Sequence, residues 1–274
     1  IEGAKEMKVD YHMHTTRCGH AVGTMDEYVR QAIKLGLPEI GFSDHLPLSP
    51  APEGTWSCDW AMQEKELPEY REEIVRLQTK YPQITIKTGI EADYFPESIE
   101  KTKSLLANYQ WDYVLGSVHH IGPWPIDSSV YLDEFDKRDL YKTYEIYFSL
   151  VIAAAQTGLY DIMAHLDVIK KYGHRPSEDL SSLYNDLALE LKKANVAAEL
   201  NTSGFRKVAA EIYPAPPLIQ KLVEAGVPLT LGSDSHAPTE VGMDFAKALE
   251  LLNKFGVKEI ATFTARKRQM VPLK

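Results

Sequence analysis

Seven short apolar segments recur along this chain, and a longer amphipathic segment separates each one from the next. Strands that alternate with helices are typical of parallel βα units, because a parallel pair of strands needs a crossover connection. Seven or eight such units in 274 residues fit one closed α/β barrel better than two domains. The predicted strands cover residues 8–12, 39–43, 84–90, 112–118, 161–165, 196–200 and 229–233.

The alternation continues without a linker, which predicts a single domain. No Gly/Ser tract, low-complexity segment or long charge run interrupts it, so we predict one barrel domain over residues 7–274. We expect residues 1–6 to be upstream sequence or an expression remnant. The predicted helices lie near residues 25–36, 60–80, 97–107, 137–157, 179–194, 215–226 and 240–255.

An open, doubly wound sheet is the architectural alternative. Such a sheet usually carries a glycine-rich phosphate loop after its first strand. Here the first strand ends in His12-Met13-His14 instead. This ending favours the barrel and directs attention to metal chemistry.

Composition narrows the possible partners and compartments. A formal net charge of −9 disfavours extended nucleic-acid binding, because an acidic protein repels a polyanion. A small anionic substrate is compatible with that charge, since bound cations can dominate the local field. No apolar run approaches the roughly 18 residues of a membrane span, so we expect no membrane partner. No signal peptide is visible and Cys18 and Cys58 cannot make a disulfide framework, so we expect a cytoplasmic protein.

Most of the nine histidines directly follow predicted strands. In a parallel barrel the C-terminal ends of all strands meet at one rim, where active sites are built. A chance distribution would also have put histidines in the helices, which are nearly free of them. The rim residues are His12 and His14 after the first strand, His45 after the second, Glu91 at the third, His119 and His120 after the fourth, His165 after the fifth, and Asp234 and His236 after the seventh, with His20 in the first loop.

The local spacing of these residues suits metal binding. Residues i and i+2 of a strand point to the same side, so His12 and His14 can bind one ion together. His119 and His120 are adjacent and should point apart, so at most one of them is a direct ligand. Imidazole and carboxylate ligands without a thiolate cluster suit Zn²⁺, Mn²⁺ or Fe²⁺. One ion needs only three or four ligands, so the surplus predicts two or three ions, with His174 left as an ordinary loop residue.

The motifs at the strand ends resemble, in order, those of the polymerase-and-histidinol-phosphatase (PHP) superfamily. The resemblance covers nearly the whole chain and implies a distorted (β/α)7 barrel with up to three metals. Within the superfamily the chain is most similar to the monofunctional histidinol-phosphatases, on its length, the loop 46–60 and the segment 199–206. The motifs are His12-Met13-His14, Cys18-Gly19-His20, Ser43-Asp44-His45, Gly89-Ile90-Glu91, Gly116-Ser117-Val118-His119, Ala164-His165-Leu166-Asp167 and Gly232-Ser233-Asp234-Ser235-His236.

The resemblance implies hydrolysis of L-histidinol phosphate, a small phosphorylated substrate of histidine biosynthesis. Two ions that share a bridging water would generate the attacking hydroxide. Glu91 and Asp234 would then serve catalysis as well as metal binding. The resemblance implies one ion on His12, His14, Glu91 and Asp234, a second on Glu91, His119 and His165, and a third on His20, His45 and His236.

A cationic side chain is expected to bind the phosphoryl group. Arg206 is the first candidate, because it follows the sixth strand and a guanidinium matches phosphate bidentately. Arg17, between the first ligands and His20, is the second, and Lys170 and Lys171 are weaker.

Other side chains near the rim have predicted supporting roles. His120 is expected beside the substrate. Asp44 and Asp167 are expected to orient imidazoles. The loop 46–60 offers Glu53, Trp56, Asp59 and Trp60 to the leaving group.

Three competing functions stay open on the sequence. Another PHP-type phosphoesterase, acting on nucleic acid, nucleotides or phosphotyrosine, is the nearest, although the acidic charge weakens the nuclease. An amidohydrolase-type barrel also starts with His-x-His, but it often bridges its metals with a lysine, where Glu91 stands here. A non-catalytic metal-binding protein is the third.

Overall fold

The computed structural model describes residues 9–56 and 60–273, and seven of its strands run parallel around one sheet. The bounds are β1 Val9–Asp10, β2 Glu39–Phe42, β3 Thr85–Asp93, β4 Tyr113–Ser117, β7 Ile162–Met163, β8 Ala197–Asn201 and β9 Leu229–Gly232. They follow one another in the order β1-β2-β3-β4-β7-β8-β9. Each of the seven strands begins and ends within three residues of its predicted segment, and β5 His120–Ile121 and β6 Trp124–Pro125 lie outside this sheet.

Hydrogen bonds between the first and last strands close the sheet. Tyr11 N donates to Leu231 O at 3.1 Å, and His14 N donates to Ser235 O at 2.9 Å. Ser235 N in turn donates to His12 O at 3.1 Å. The predicted distorted (β/α)7 barrel is therefore confirmed, and the open doubly wound sheet is wrong.

Helices cover the outside of the barrel, and their ends follow the sequence signals. The first begins with a capping box between Thr24 and Glu27 and ends at Gly36, whose φ of 75° suits a residue without a side chain. No helix in the described part of the chain is long and apolar enough to cross a bilayer. The helices are α1 Met25–Leu35, α2 Leu67–Lys80, α3 Ile99–Ala107, α4 Asp133–Asp136, α5 Leu140–Gln156, α6 Ser181–Ala194, α7 Pro216–Ala225 and α8 Phe245–Lys254.

Aromatic side chains fill the barrel interior below the rim. The Tyr113 ring stacks on Tyr11 with ring centroids 4.5 Å apart, and its hydroxyl donates to Tyr11 O at 2.7 Å. A Cβ at Gly89 would lie 2.5 Å from Tyr113 Cε2, so the strand needs a glycine there. This packing makes the barrel a solid floor for the polar residues above it.

Two hairpins and one short helix were missing from the sequence prediction. The strands β5 His120–Ile121 and β6 Trp124–Pro125 form a small hairpin after β4, and α4 follows them. The strands β10 Glu259–Thr264 and β11 Lys267–Pro272 form a second hairpin. It covers the N-terminal end of the barrel, where Phe263 N donates to Tyr11 Oη at 3.1 Å.

Candidate metal centre

Glu91 lies at the centre of the rim, and predicted ligands surround it. It is 1% exposed and projects from the end of β3. Its Oε2 lies 3.2 Å from His12 Nε2 and 3.0 Å from His45 Nδ1. Its Oε1 lies 3.0 Å from His165 Nε2 and 3.7 Å from His119 Nε2. One carboxylate therefore faces imidazoles from four different βα connections, as a bridging ligand must.

The remaining predicted ligands lie beside this cluster. His14 Nε2 is 3.1 Å from Asp234 Oδ1. The ring centroid of His236 is 4.2 Å from that of His14 and 4.5 Å from that of His20. The structure thus brings all nine predicted ligands to one rim, where several sets of three or more have donor atoms within 4.8 Å of one another. Which ion each residue holds stays a prediction.

Buried polar atoms at this rim fit divalent cations. Within the described part of the chain, four buried atoms of this rim have no partner in hydrogen-bond geometry, namely His12 Nε2, His45 Nδ1, His165 Nδ1 and Glu91 Oε2. A buried polar atom without a partner is costly, so such atoms are rare in native proteins. Lone pairs that converge from imidazoles and carboxylates are the donor set of Zn²⁺, Mn²⁺ and Fe²⁺. The residues present therefore fit the metals that the sequence predicts.

Carboxylates at the rim favour positive charge on some of the imidazoles. Burial opposes ionisation of Glu91, but the imidazoles, with His45 and His12 foremost, hold its pKa well below its usual range. Burial also opposes protonation of His119, yet Asp93 raises the pKa of that imidazole to about 10. Asp234 and Asp44 likewise outweigh burial and raise the pKa of His14 to about 9. A divalent cation offers positive charge to the same carboxylates and can replace these protons.

Carboxylates behind the ligands orient several imidazoles. Asp93 Oδ1 lies 2.8 Å from His119 Nδ1, and Asp44 Oδ1 lies 3.4 Å from His14 Nδ1. The predicted role of Asp44 agrees with this contact. Asp167, which was also expected to orient an imidazole, has other partners. Its carboxylate lies 2.8 Å from Lys170 Nζ and accepts a hydrogen bond from the backbone N–H of Ala215, which precedes α7.

Sequence reasoning missed a polar ladder at the end of β8. Glu199 Oε1 lies 2.7 Å from His12 Nδ1, Asn201 Nδ2 lies 3.3 Å from Asp234 Oδ2, and Ser203 Oγ lies 3.1 Å from the same oxygen. Glu199 and Asn201 stand at i and i+2 of β8, the period that puts strand residues on one face, and Ser203 follows in a 3-10 turn. That period was the available signal.

A cavity of about 650 Å³ opens above the rim, and it is lined by Lys171, one of the two weaker predicted cations, rather than by the two predicted arginines. Of the described residues, Lys171 and Lys207 line it, whereas Arg17 and Arg206 do not. Lys171 Nζ lies 3.0 Å from Asp127, another lining residue. Burial opposes the charge of Lys171, but Asp127 raises the pKa of its ammonium above the usual value.

The two predicted arginines make contacts outside the cavity. Arg17 lies 2.7 Å from Glu73 of α2 and 3.4 Å from Glu69. Arg206 donates to Ser233 O at 2.7 Å and lies 3.7 Å from Glu240. Their proposed phosphate contacts therefore require a change of side-chain rotamer.

Aromatic residues form one wall of the cavity. Trp60 lines it, with its ring centroid 4.4 Å from that of His45. His120, which is expected beside the substrate, is not among the described residues that line the cavity, and its ring centroid lies 6.2 Å from that of Trp60 and 5.3 Å from that of Phe95. Trp56 packs on Tyr131 at 4.9 Å. Glu53 is exposed, and Asp59 and Cys58 lie outside the described residues.

A family comparison agrees with this geometry. A model of the PHP domain matches residues 10–203. The chain belongs to the PHP domain family.

Relatives match over nearly the full length. A protein of Deinococcus radiodurans named "Probable histidinol-phosphatase" is 39% identical over 265 residues, which are 96% of this chain and 98% of the relative. A Schizosaccharomyces pombe protein of the same name is 31% identical, over 93% of this chain and 89% of its own. A crystal structure of the Lactococcus lactis histidinol phosphate phosphatase, complexed with zinc, L-histidinol and phosphate, superposes with a TM-score of 0.79. It is 26% identical and covers 96% of this chain and 98% of its own.

Proposed function

We propose that this chain is a metal-dependent phosphomonoesterase that hydrolyses L-histidinol phosphate to L-histidinol and phosphate. The observation that carries the proposal is the buried Glu91 carboxylate, which faces imidazoles from four connections below an open cavity. The full-length likeness to histidinol-phosphatases supports the substrate. The barrel rim and the cavity size both suit a small phosphorylated molecule rather than nucleic acid.

The proposed centre holds two or three divalent ions, with zinc, manganese or iron as the candidates. When bound, such ions supply Lewis-acid activation of water and of the phosphoryl group. The proximity of His12 and Glu91 and of His14 and Asp234 supports the first ligand set. The second set is Glu91, His119 and His165, and the third is His20, His45 and His236.

Lys171 is the proposed contact for the phosphoryl group. Its ammonium lines the cavity and stays charged beside Asp127. Lys207 lines the same cavity and is the second cation within it. Arg206 and Arg17, which the sequence favoured, are retained as alternatives that would first have to leave Ser233 and Glu73. A fixed cation stabilises the charge that develops on the phosphoryl oxygens as the bond to the leaving oxygen breaks.

The leaving group carries an amine and an imidazole, and two cavity residues match them. Burial opposes the charge of Asp127, but Lys171 and His119 lower the pKa of its carboxyl group well below the usual range. An ionised carboxylate accepts hydrogen bonds from an ammonium. The Trp60 ring offers a flat apolar surface to an imidazole. The carboxylate would favour histidinol phosphate over an aryl phosphate, and the aromatic ring would favour it over an alkyl phosphate.

Steady-state rates test the proposal. The protein, reconstituted with Zn²⁺ or Mn²⁺, is assayed on histidinol phosphate, an aryl phosphate, a nucleotide, a phosphotyrosine peptide and an amide. Loss of the contact between Asp127 and the ammonium, at about 1.5–3 kcal/mol for a hydrogen bond to a charged group, predicts roughly 10- to 150-fold lower kcat/KM for the aryl phosphate. Equal or faster turnover of the nucleotide or the peptide would assign the chain to another phosphoesterase activity. Cell fractionation tests the predicted cytoplasmic location separately.

A further inference from the structure

Glu199 is a buried carboxylate that touches two predicted ligands at once. It lies in β8 and is 1% exposed. Its Oε1 lies 2.7 Å from His12 Nδ1, and its Oε2 accepts the backbone N–H of His165 at 2.9 Å. We propose that Glu199 is a positioning residue that fixes the tautomer of His12 and the backbone of His165. The inference rests on the proposed metal centre but not on the proposed substrate.

The first effect concerns the nitrogen that His12 presents to a metal. An ionised carboxylate only accepts hydrogen bonds, so the 2.7 Å contact requires hydrogen on His12 Nδ1. In the neutral ring, Nε2 then carries the lone pair. This Nε2 is buried with no partner in hydrogen-bond geometry among the described residues, and it lies 3.2 Å from Glu91 Oε2. Glu199 thereby aims the lone pair of His12 at the metal centre.

The second effect concerns the backbone at His165. This residue has a positive φ of 22°, a backbone conformation that residues other than glycine rarely adopt. The hydrogen bond from its N–H to Glu199 Oε2 holds that conformation and directs the His165 ring to Glu91. His12 and His165 belong to different predicted ligand sets, so one carboxylate orders parts of two ion sites.

The neighbouring strand leaves room for this carboxylate. Gly232 ends β9, and a Cβ there would lie 2.7 Å from His12 Cβ and closer still to Glu199 Oε1. Any side chain at Gly232 would therefore displace Glu199 or His12. This observation is independent of the hydrogen bonds and points to the same pair.

An amide cannot replace the carboxylate. Glu199 Oε2 accepts hydrogen bonds from both His165 N and Asn201 Nδ2. In a glutamine, the single amide oxygen would occupy the position of Oε2, because both of these groups are donors. Its NH2 group would then face His12 Nδ1 and donate to it. The hydrogen of His12 would move to Nε2, where it blocks metal ligation. Glu199→Gln should consequently weaken the metal centre without removing any ligand.

Chelator competition on Glu199→Gln measures this effect. Partners behind metal ligands typically contribute 10- to 100-fold in metal affinity. We expect zinc binding to weaken within that range while the circular dichroism spectrum and the melting temperature of the metal-free protein stay near wild type. Glu39→Gln is the matched control, because Glu39 is a part-buried carboxylate that bonds Tyr11 at the opposite end of the barrel. Its zinc affinity should not change.

A spectrum of the wild-type protein supplies a test that needs no variant. In zinc-loaded protein labelled with ¹⁵N-histidine, His12 should carry its hydrogen on Nδ1 and bind zinc through Nε2. A hydrogen on Nε2, or unchanged zinc affinity in Glu199→Gln, would overturn the inference. If wild-type protein binds no zinc, the metal centre itself is wrong. If it binds zinc but does not hydrolyse histidinol phosphate, only the proposed substrate fails.

Discussion

Lys171→Met tests which cation binds the phosphoryl group. The substitution keeps most of the side-chain length and removes the ammonium from the cavity lining. A hydrogen bond to a charged group is worth about 1.5–3 kcal/mol. That range corresponds to roughly a 10- to 150-fold loss of kcat/KM, at tenfold per 1.4 kcal/mol. We expect the loss with every phosphate monoester, because the contact is to the group that they share.

The Lys171–Asp127 ion pair complicates a single substitution. The pair is 3.0 Å apart and each side chain is 21% exposed, so Lys171→Met leaves a carboxylate unpaired in the cavity. That carboxylate would repel phosphate by a few kcal/mol, since unit charges 4 Å apart interact by about 4 kcal/mol at an effective dielectric of 20. The double variant Asp127→Asn/Lys171→Met separates the two effects. A direct phosphate contact leaves it at least about tenfold below Asp127→Asn alone.

The assay is steady-state hydrolysis of histidinol phosphate and of an aryl phosphate, with inhibition by inorganic phosphate and metal content measured alongside. Metal content should be unchanged, because lysine is not a predicted ligand. Recovery of the double variant to the Asp127→Asn rate would refute the direct contact. Arg206→Ala and Arg17→Ala are assayed in parallel. A 10- to 150-fold loss in either one, with Lys171→Met unaffected, would return the phosphate contact to the arginine that the sequence predicted.

Three further predictions concern the metal centre. Glu91→Gln should lower kcat by at least about 10³-fold and loosen two ions, because a neutral amide cannot bridge cations; near-normal turnover with full metal content would contradict this. Elemental analysis of reconstituted protein should find two or three ions per chain, and one ion or none would refute the count. Chelation should lower the melting temperature reversibly, since ions that bind the native state stabilise it. Zinc binding at pH 7.5 should release roughly three protons, because carboxylates raise the pKa of His14 to about 9, that of His119 to about 10 and that of His12 well above its usual value, and all three imidazoles must deprotonate to bind. Calorimetry in two buffers of different ionisation enthalpy measures the release, and no buffer dependence would rule it out.

The barrel was predictable because its strands are short apolar segments that helices separate. The C-terminal hairpin was not, although it covers the barrel floor. Its second strand, Lys267–Pro272, is largely exposed and carries charged and polar side chains, so it lacks the apolar pattern of a barrel strand. Its position depends on tertiary contacts instead. Arg266 bonds Asp161 at 2.9 Å, and Phe263 N donates to Tyr11 Oη.

The site also has a part that the sequence predicts and a part that it does not. The predicted ligands follow strands, and the closed sheet places their backbone positions on one rim. Their positions relative to the strands were therefore enough to predict that they lie together. Arg206 lies in a 3-10 turn after β8, where the direction of a long side chain depends on its local partners. The carbonyl of Ser233 and the carboxylate of Glu240 decide that direction here, and neither contact follows from spacing.

Glu199 shows where the period of a strand carries more information than its residue types suggest. A glutamate inside an apolar strand is unexpected, because a buried carboxylate is costly unless it is paired. Alternation along β8 puts Glu199 and Asn201 on the same face, which at the barrel rim is the face of the metal ligands. The cost of burying Glu199 is offset by three donors, His12 Nδ1, His165 N and Asn201 Nδ2. A polar residue that interrupts the apolar pattern at the C-terminal end of a barrel strand is therefore a candidate to orient metal ligands. This holds even for Glu199, whose sequence segment was used only to assign the chain to a subfamily.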